Sequence, residues 1–299
     1  MLASAEAVTE ALAEGFAGFP VQLQRAARFI LDNPREVGVH SMRALAAKAE
    51  VHPNTLVRLA QAIGLEGYEA LRERFRDFMV AGGMGGFGER ADFLQAMARD
   101  GGTGAVLAGM AAATTANLQA AWARQDPGEV EAVADLVRSA PRVFVLGMGS
   151  AYALAYQFWY VARMAFDTVT PIPRHGSAPI DDLARVGAGD VVIALTFQPY
   201  RAETMEAVRH ARAAGATVVG ISDSATAPLA SLSDHFLSAP THTPQVFQSQ
   251  AAVTALLEGL VGVAIARAGP ETAAAVESFH RRRMDAGLYE EPAALARLG

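Results

Sequence analysis

The sequence predicts an all-α unit at the N-terminus, followed by a three-layer α/β unit in which helices cover both faces of a parallel sheet. Three observations lead to this fold class. Apolar residues repeat at helical spacing from Phe19 to Met79. Residues 81–89, AGGMGGFGE, hold five glycines, a density that favours neither helix nor strand. From Arg142 onward, short apolar strands alternate with helices, which is typical of parallel sheets.

Composition limits the possible function classes. The chain has 299 residues, of which 52% are hydrophobic, enough for a sizeable core. It has no cysteine, and its seven histidines lack HxH or HExxH spacing, so we expect no disulfide, metal site or cofactor. A net charge of −6 confines any nucleic-acid contact to a local surface. The lack of a membrane-length apolar run and the acidic residues near the N-terminus predict a cytoplasmic protein that does not enter a membrane.

Residues 41–64 of the helical unit have the pattern of two short helices joined by a tight turn. Ser41 can cap the first helix, and Pro53 stands at the first position of the second. The second helix would bury Leu56 and Leu59 and turn amide, hydroxyl and guanidinium groups outward. This is the helix-turn-helix arrangement of DNA-binding proteins, although an ordinary helical bundle with a polar surface has the same periodicity.

The polar residues of this helix pair are suited to duplex DNA. Asn54 and Arg58 can bond adenine and guanine edges with two hydrogen bonds each, while Arg43 and Lys48 can meet phosphates. The residues predicted to contact DNA are Arg43, Lys48, His52, Asn54, Thr55 and Arg58.

Five segments of the α/β unit have the composition of strands: RVFVLG, DTVTPIP, VVIAL, TVVGIS and HFLSAP. A long apolar helix at residues 247–268, predicted to lie in a dimer interface, follows them. Ligands of such folds bind at the carboxyl ends of the strands. Gly147, Gly149 and Ser150 follow the first strand, where a glycine-rich turn presents N–H groups and a helix N-terminus to an anion. Tyr152 stands where a dinucleotide fingerprint would need its third glycine.

Both units resemble parts of one protein family. FILDNPREV followed by SMRALAAKAEVHPNTLVRLAQAIGLEGYEALRERF resembles the N-terminal helix-turn-helix domain of the RpiR/MurR family of bacterial transcription regulators. The chain departs from that family at His52, usually serine, and at Leu59, usually phenylalanine. From Val130 to Ala268 it resembles the sugar isomerase (SIS) domain, the phosphosugar-binding module of these regulators. The resemblance implies a flavodoxin-like, three-layer SIS fold with a parallel sheet.

These patterns predict the domain organisation. We expect a helix-turn-helix DNA-binding domain at residues 1–80 and a glycine-rich linker at residues 81–102. An SIS ligand-binding domain with leading helices should occupy residues 103–270, and a C-terminal helical tail residues 271–299.

The loop after VVIAL departs from the SIS pattern Ser-x-Ser-Gly-x-Thr-x-Glu, whose hydroxyl and N–H groups hold a phosphate. Aligned without gaps, Thr196 and Gln198 take the serine positions, and Pro199 takes the glycine position. Arg201 replaces the threonine, while Glu203 keeps the glutamate. An arginine fork suits a carboxylate or a phosphate, unless Arg201 points to solvent from the first turn of its helix. The predicted ligand contacts are Gly147, Gly149, Ser150, Thr196, Gln198, Tyr200, Arg201 and Glu203.

Catalysis would require a positioned acid and base, for which the candidates are Glu203, His175 and Glu258. Each has a plainer structural interpretation, so no catalytic residue is predicted. We expect a transcription regulator that binds double-stranded operator DNA as a homodimer or homotetramer and senses a phosphosugar or a related small anionic carbohydrate derivative. The alternatives are an SIS-fold sugar-phosphate isomerase or lyase with an appended helical domain, and a nucleoid or adaptor protein that senses nothing.

Overall fold

The computed structural model describes residues 4–80 and 86–289. The chain forms two compact units. The first contains the residues up to Asn117 together with Thr241–Ser249, and the second contains Leu118–Pro240 together with the residues from Gln250 onward. The sequence predicted a domain boundary at the glycine-rich segment, whereas the boundary between the two compact units falls after Asn117, inside a helix.

Helices build the first unit. Their bounds are α1 (Ala5–Gly15), α2 (Val21–Asp32), α3 (Pro34–Val39), α4 (Met42–Lys48), α5 (Pro53–Ala62), α6 (Tyr68–Val80) and the first part of α7 (Phe87–Arg124). The apolar faces of α1 to α6 meet in one core, in which Leu45, Leu56, Leu59 and Leu71 are fully buried. Phe93 of α7 packs in a separate cluster with Val39 and Met97. These leucines occupy helical spacing on α4, α5 and α6, so burial of one face of each helix stabilises the bundle.

Helix α7 begins earlier than the sequence predicted. Residues 81–85 lie outside the described residues, but residues 87–102, predicted as linker, are helical. The helix is kinked at Gly102, whose φ of 68° and ψ of −172° are open to glycine and strained for other residues. Phe93 and Ala96 are buried in the segment before the kink, so packing offsets the low helix propensity of the glycines.

The second unit is a parallel sheet between two layers of helices. Its strands are β1 (Val143–Gly147), β2 (Val169–Ile172), β3 (Val191–Leu195), β4 (Thr217–Ser222) and β5 (His235–Ser238). All are parallel, in the order β2-β1-β3-β4-β5. This order is that of flavodoxin-like folds, so the predicted fold class is confirmed.

Helices on both faces bury the sheet. The helices of this unit are α8 (Pro127–Ser139), α9 (Ala151–Ala162), α10 (Pro179–Asp182), α11 (Ala202–Ala213), α12 (Ala251–Ala266) and α13 (Pro270–Asp285). Of these, α13 is largely exposed and buries Thr272 alone. Every residue of β3 is buried, as expected for a central strand covered on two faces.

Helix α12 is a core helix of this unit. Its residues Leu256, Leu257 and Leu260 are at most 2% exposed within a single chain. That burial removes the basis for assigning this helix to a dimer interface. Among the described helices, none alone is long and apolar enough to cross a bilayer, and α12 with α13 reaches that length only across a bend of 119°.

Candidate functional site

Helices α4 and α5 form the predicted helix-turn-helix pair. The hydroxyl of Ser41 caps α4 by accepting a hydrogen bond of 3.4 Å from the N–H of Ala44. Glu50, with φ of 52°, makes the turn between the helices. Helix α5 then begins at Pro53, which suits a first helical position because it has no N–H to satisfy.

His52 is the N-terminal cap of α5. Its Nδ1 accepts a hydrogen bond of 3.3 Å from the N–H of Asn54. The imidazole therefore replaces the serine that is usual in the resembling family, and the cap is retained. Because Nδ1 accepts, the neutral ring carries its proton on Nε2, which leaves that N–H as a donor at the surface.

The predicted base-reading residues lie on the outer side of α5. Asn54 and Arg58 are exposed and Thr55 is half-buried, while Leu56 and Leu59 face the core. These three polar side chains share one face of the helix N-terminal half. That is the part of a recognition helix that contacts base edges in the major groove.

Lys48, one of the two predicted phosphate contacts, is already paired. Its Nζ lies 2.7 Å from Oε2 of Glu36 on α3, and Nε2 of His40 lies 2.7 Å from the same oxygen. Burial alone would raise the pKa of Glu36, but Lys48 and His40 outweigh it and hold the pKa below its usual value. The other predicted phosphate contact, Arg43, is exposed. A phosphate at Lys48 would thus compete with an ionised carboxylate.

In the second unit, the predicted ligand loops follow two adjacent strands. Gly147 at the end of β1 is paired in register with Leu195 at the end of β3. In this strand order the chain reverses direction of winding between β1 and β3, the position where open α/β sheets form a ligand crevice. The strand order thus brings the loops after Gly147 and Leu195 to one place.

The two glycines of the first loop have different roles. Gly147 is buried, and a Cβ there would lie 2.3 Å from the carbonyl oxygen of Ala151, so glycine permits close packing of β1 against α9. Gly149 is exposed and has φ of 60°. A Cβ on Gly149 would lie 3.0 Å from Nη2 of Arg201. The guanidinium of Arg201 therefore lies against the glycine turn, although about half of its side chain remains exposed to solvent.

A network of hydrogen bonds shapes the loop after β3. The N–H of Arg201 donates to Oγ1 of Thr196 at 3.3 Å, and the N–H of Gln198 donates to Oδ2 of Asp223 at 3.3 Å. Ser222 donates its hydroxyl to the carbonyl of Thr196 at 2.6 Å. Thr196 is 2% exposed. Its hydroxyl therefore serves the turn that positions Arg201.

Asp223 is a further candidate site residue that the sequence did not predict. It follows β4, and its Oδ1 lies 3.0 Å from Oγ of Ser222, whose one hydroxyl proton is shared with the closer carbonyl of Thr196. Burial, together with the charge and a hydrogen bond of Asp223, raises the pKa of Tyr200 to about 12. The carboxylate thus holds Gln198 and Tyr200 from one side. Its position directly after a strand end was the available signal, but the pairing of β4 with β3 had to be known to use it.

The edge of the sheet combines a cation with free backbone donors. Within the described part of the chain, the N–H groups of Gly149 and Ser150 donate to no acceptor, and both residues are exposed at the N-terminal end of α9. Arg201 lies 3.7 Å from Glu203, with about half of each side chain exposed. An anion at Gly149 could accept from the two N–H groups and from the guanidinium, and could displace this weak, solvent-screened ion pair.

The candidate acid and base residues do not form one cluster of contacts. Glu203 is paired with Arg201, whereas Glu258 on α12 accepts a hydrogen bond of 3.1 Å from Gln157 on α9. His175 is exposed in the turn after β2. Among the described residues, no group of three His, Asp or Glu is placed to hold a metal ion.

Comparison with known proteins adds independent information. A model of the SIS domain matches residues 136–263, and a model of the helix-turn-helix domain of the rpiR family matches residues 10–79. The chain is 27% identical over 226 residues to the HTH-type transcriptional regulator HexR of Pseudomonas aeruginosa, covering 73% of each chain. It is 22% identical over 216 residues to an HTH-type transcriptional regulator of Caldanaerobacter subterraneus, covering 70% of this chain and 72% of that protein.

Two solved structures resemble the chain in fold. The sugar isomerase domain of an RpiR transcription factor from Sphaerobacter thermophilus has a TM-score of 0.54 and 25% identity, covering 58% of this chain and 96% of that one. The NanR protein of Vibrio vulnificus, solved in complex with ManNAc-6P, has a TM-score of 0.57 and 20% identity. It covers 95% of this chain and 100% of that one. At that identity the likeness to NanR concerns the fold alone.

Proposed function

Because the chain belongs to the RpiR family, as a regulator with a helix-turn-helix and an SIS domain, we propose that it couples operator binding to a small anionic carbohydrate derivative. The effector is a phosphosugar or a sugar acid. It binds at the carboxyl edge of the sheet, and no chemistry follows. The regulator HexR among its relatives is consistent with this role.

One observation carries the choice of an anionic effector. The guanidinium of Arg201 lies against Gly149, beside the free N–H groups at the start of α9. A charge-assisted hydrogen bond from such a group is worth about 1.5–3 kcal/mol. The hydroxyls usual at this loop in SIS domains are replaced by larger groups, so charge carries more of the recognition here. Asp223 adds an acceptor that suits the hydroxyl groups of a carbohydrate.

The DNA-binding proposal rests on the exposed outer side of α5. Asn54, Thr55 and Arg58 read base edges, while Arg43, Lys48 and the free N–H of His52 meet phosphates. A single helix of this size reads too few base pairs to select a genomic site, so we propose a homodimer or a homotetramer. Exposed aromatic residues on α9 provide apolar surface for such an assembly: Tyr156 is 46% exposed and Tyr160 is 37% exposed.

Four probes that share a six-carbon body test the effector proposal. We expect 6-phosphogluconate, glucose 6-phosphate and gluconate to bind the full-length protein in calorimetry, and glucose to bind weakest. Arg201→Ala should weaken binding of the charged probes about ten- to a hundredfold, since it removes a charge-assisted hydrogen bond. Operator binding without effector should be unchanged, because Arg201 and α5 lie in different units.

The same samples test the other possibilities. If glucose binds as well as the charged probes, the anionic effector is wrong. Appreciable conversion of a sugar phosphate by the wild-type protein would show an enzyme. A monomer in sedimentation at micromolar concentration would contradict the assembly.

A further inference from the structure

The first unit contains a cavity that neither the DNA surface nor the effector loops use. Its volume is about 650 Å³, within the usual range for small-molecule sites. Its walls come from α6, from both segments of α7 around the kink, and from the loop that includes Pro244, all within one compact unit.

Most of the wall is apolar. Phe93, which is 3% exposed, and Met97 form one side, and the second segment of α7 contributes Ala105, Gly109 and Ala113. A Cβ on Gly109 would lie 2.7 Å from Cε of Met97, so the wall is already in close contact at that point. The remaining small side chains leave room for an apolar body of a few carbon atoms.

Two arginines one helical turn apart supply positive charge to the wall. The side chain of Arg72 is only 9% exposed, and its Nη2 lies 2.6 Å from Oδ2 of Asp100. Its Nε is buried and donates to no acceptor among the described residues. Arg76 is half-buried, and its Nε donates to the carbonyl of Gly38 at 3.3 Å. Burial, followed by the charge of Arg72, lowers the pKa of Arg76.

The wall also holds two carboxylates, and a third, on Glu69, lies 3.9 Å from Arg72. Asp100 is committed to Arg72, and its side chain is 35% exposed. Glu73, the other carboxylate of the wall, is 67% exposed and lies 3.9 Å from Arg74. Among the described residues no carboxylate lies within ion-pair distance of Arg76, so an incoming carboxylate would supply the partner that this guanidinium lacks.

We propose that this cavity binds a small organic carboxylate with a compact apolar body. Its carboxylate accepts hydrogen bonds from the Nη groups of Arg76, close to the charge of Arg72, while its body packs against Phe93 and Met97. The ligand class differs from that of the effector loops in its apolar body, for which Phe93, Met97 and the small side chains of α7 provide the contact surface.

Phenylacetate and its uncharged isostere phenylacetamide test the proposal on the full-length protein by calorimetry. We expect phenylacetate to bind at least tenfold more tightly than phenylacetamide. Arg76→Gln should reduce phenylacetate affinity about ten- to a hundredfold. Arg74→Gln, on the same helix but outside the cavity wall, is the matched control and should leave affinity within about twofold.

A second pair of variants avoids reliance on a charged group. Ala113→Leu fills part of the cavity and should weaken phenylacetate at least tenfold, whereas Ala111→Leu, on the exposed side of the same helix, should not. Thermal melts verify that each variant is folded. Equal binding of the two probes, no binding of phenylacetate at millimolar concentration, or loss of binding in Arg201→Ala would each overturn the proposal, the last by placing the probe at the effector loops.

Discussion

Replacing Gly149 by alanine tests whether the glycine turn positions Arg201. The substitution has two separate costs. At φ of 60° an alanine in the left-handed region costs about 1–2 kcal/mol, of which about 0.4–1 kcal/mol is recovered through a stiffer unfolded chain. The free energy of unfolding should therefore fall by about 1 kcal/mol. In addition, the new Cβ would lie 3.0 Å from Nη2 of Arg201, so the guanidinium must move.

The movement of Arg201 should appear as lost effector affinity. Because the end of an arginine side chain is flexible, the guanidinium can keep part of its hydrogen bond to the effector. We therefore expect effector affinity to fall three- to tenfold, or by about 0.7–1.4 kcal/mol, which is less than the whole hydrogen bond contributes. Gly176→Ala is the matched control. Gly176 has φ of 77° in the same unit, and a Cβ there would have no neighbour within 4 Å. It should lose similar stability and no affinity.

Chemical denaturation measures the first cost, and calorimetry with the tightest of the four carbohydrate probes measures the second. The decisive comparison is a double-mutant cycle with Arg201→Ala. If Gly149→Ala weakens binding as much in the Arg201→Ala background as in the wild type, the turn does not act through Arg201. Equal affinity of wild type and Gly149→Ala would refute the reasoning as well.

Three further predictions concern the helix-turn-helix pair α4 and α5 and the loop after β3. Arg58→Ala should lose about 1–3 kcal/mol of binding free energy at one operator position, whereas Lys48→Ala should weaken binding to all sequences alike. Quantitative gel shifts on operator and random DNA measure both effects. If Arg58→Ala leaves the ratio of operator affinity to random-DNA affinity unchanged, Arg58 does not read a base. His52→Ala should destabilise the protein by about 1 kcal/mol in urea, and His52→Ser should recover this loss, because serine restores the cap. The pKa of Tyr200 is raised from 10.0 to about 12, so the unfolded chain loses this proton first. The contribution of Tyr200 to the free energy of unfolding is complete below about pH 10 and is lost as pH rises to about 12. Titration of tyrosinate absorbance, with Tyr200→Phe as the reference, measures the pKa of Tyr200. Asp223→Asn should lower that pKa.

The fold could be predicted because its signals are local. The strands from Val143 and Val191 are short apolar runs that end at polar loops, and the helices between them have clear periodicity. The start of α7 could not be predicted, because the glycines before Phe93 lower helix propensity and only tertiary packing offsets them. Such packing is not visible in a single segment of sequence.

The candidate site was predicted as two loops, and their adjacency followed from the strand order. The roles within the loops needed the structure. Gly147 and Thr196 are buried and hold the turns, whereas Gly149 and Arg201 form the exposed surface. Asp223 could not be identified because its partner Gln198 is distant in the chain. Whether these residues bind the effector stays a prediction.

Glu36 gives the DNA surface an internal competitor. The carboxylate already neutralises Lys48, so a phosphate that engages Lys48 must displace Glu36 or share the lysine with it. Each phosphate neutralised by a protein cation normally adds about 0.9 to the slope with which the logarithm of the binding constant falls against the logarithm of salt concentration, because counterions are released. Lys48 should add less than this to the slope. If Lys48 meets a phosphate as proposed, displacing Glu36 costs binding free energy on every duplex alike. Glu36 would then lower the overall affinity of the protein for DNA and leave the ratio between operator and random DNA unchanged.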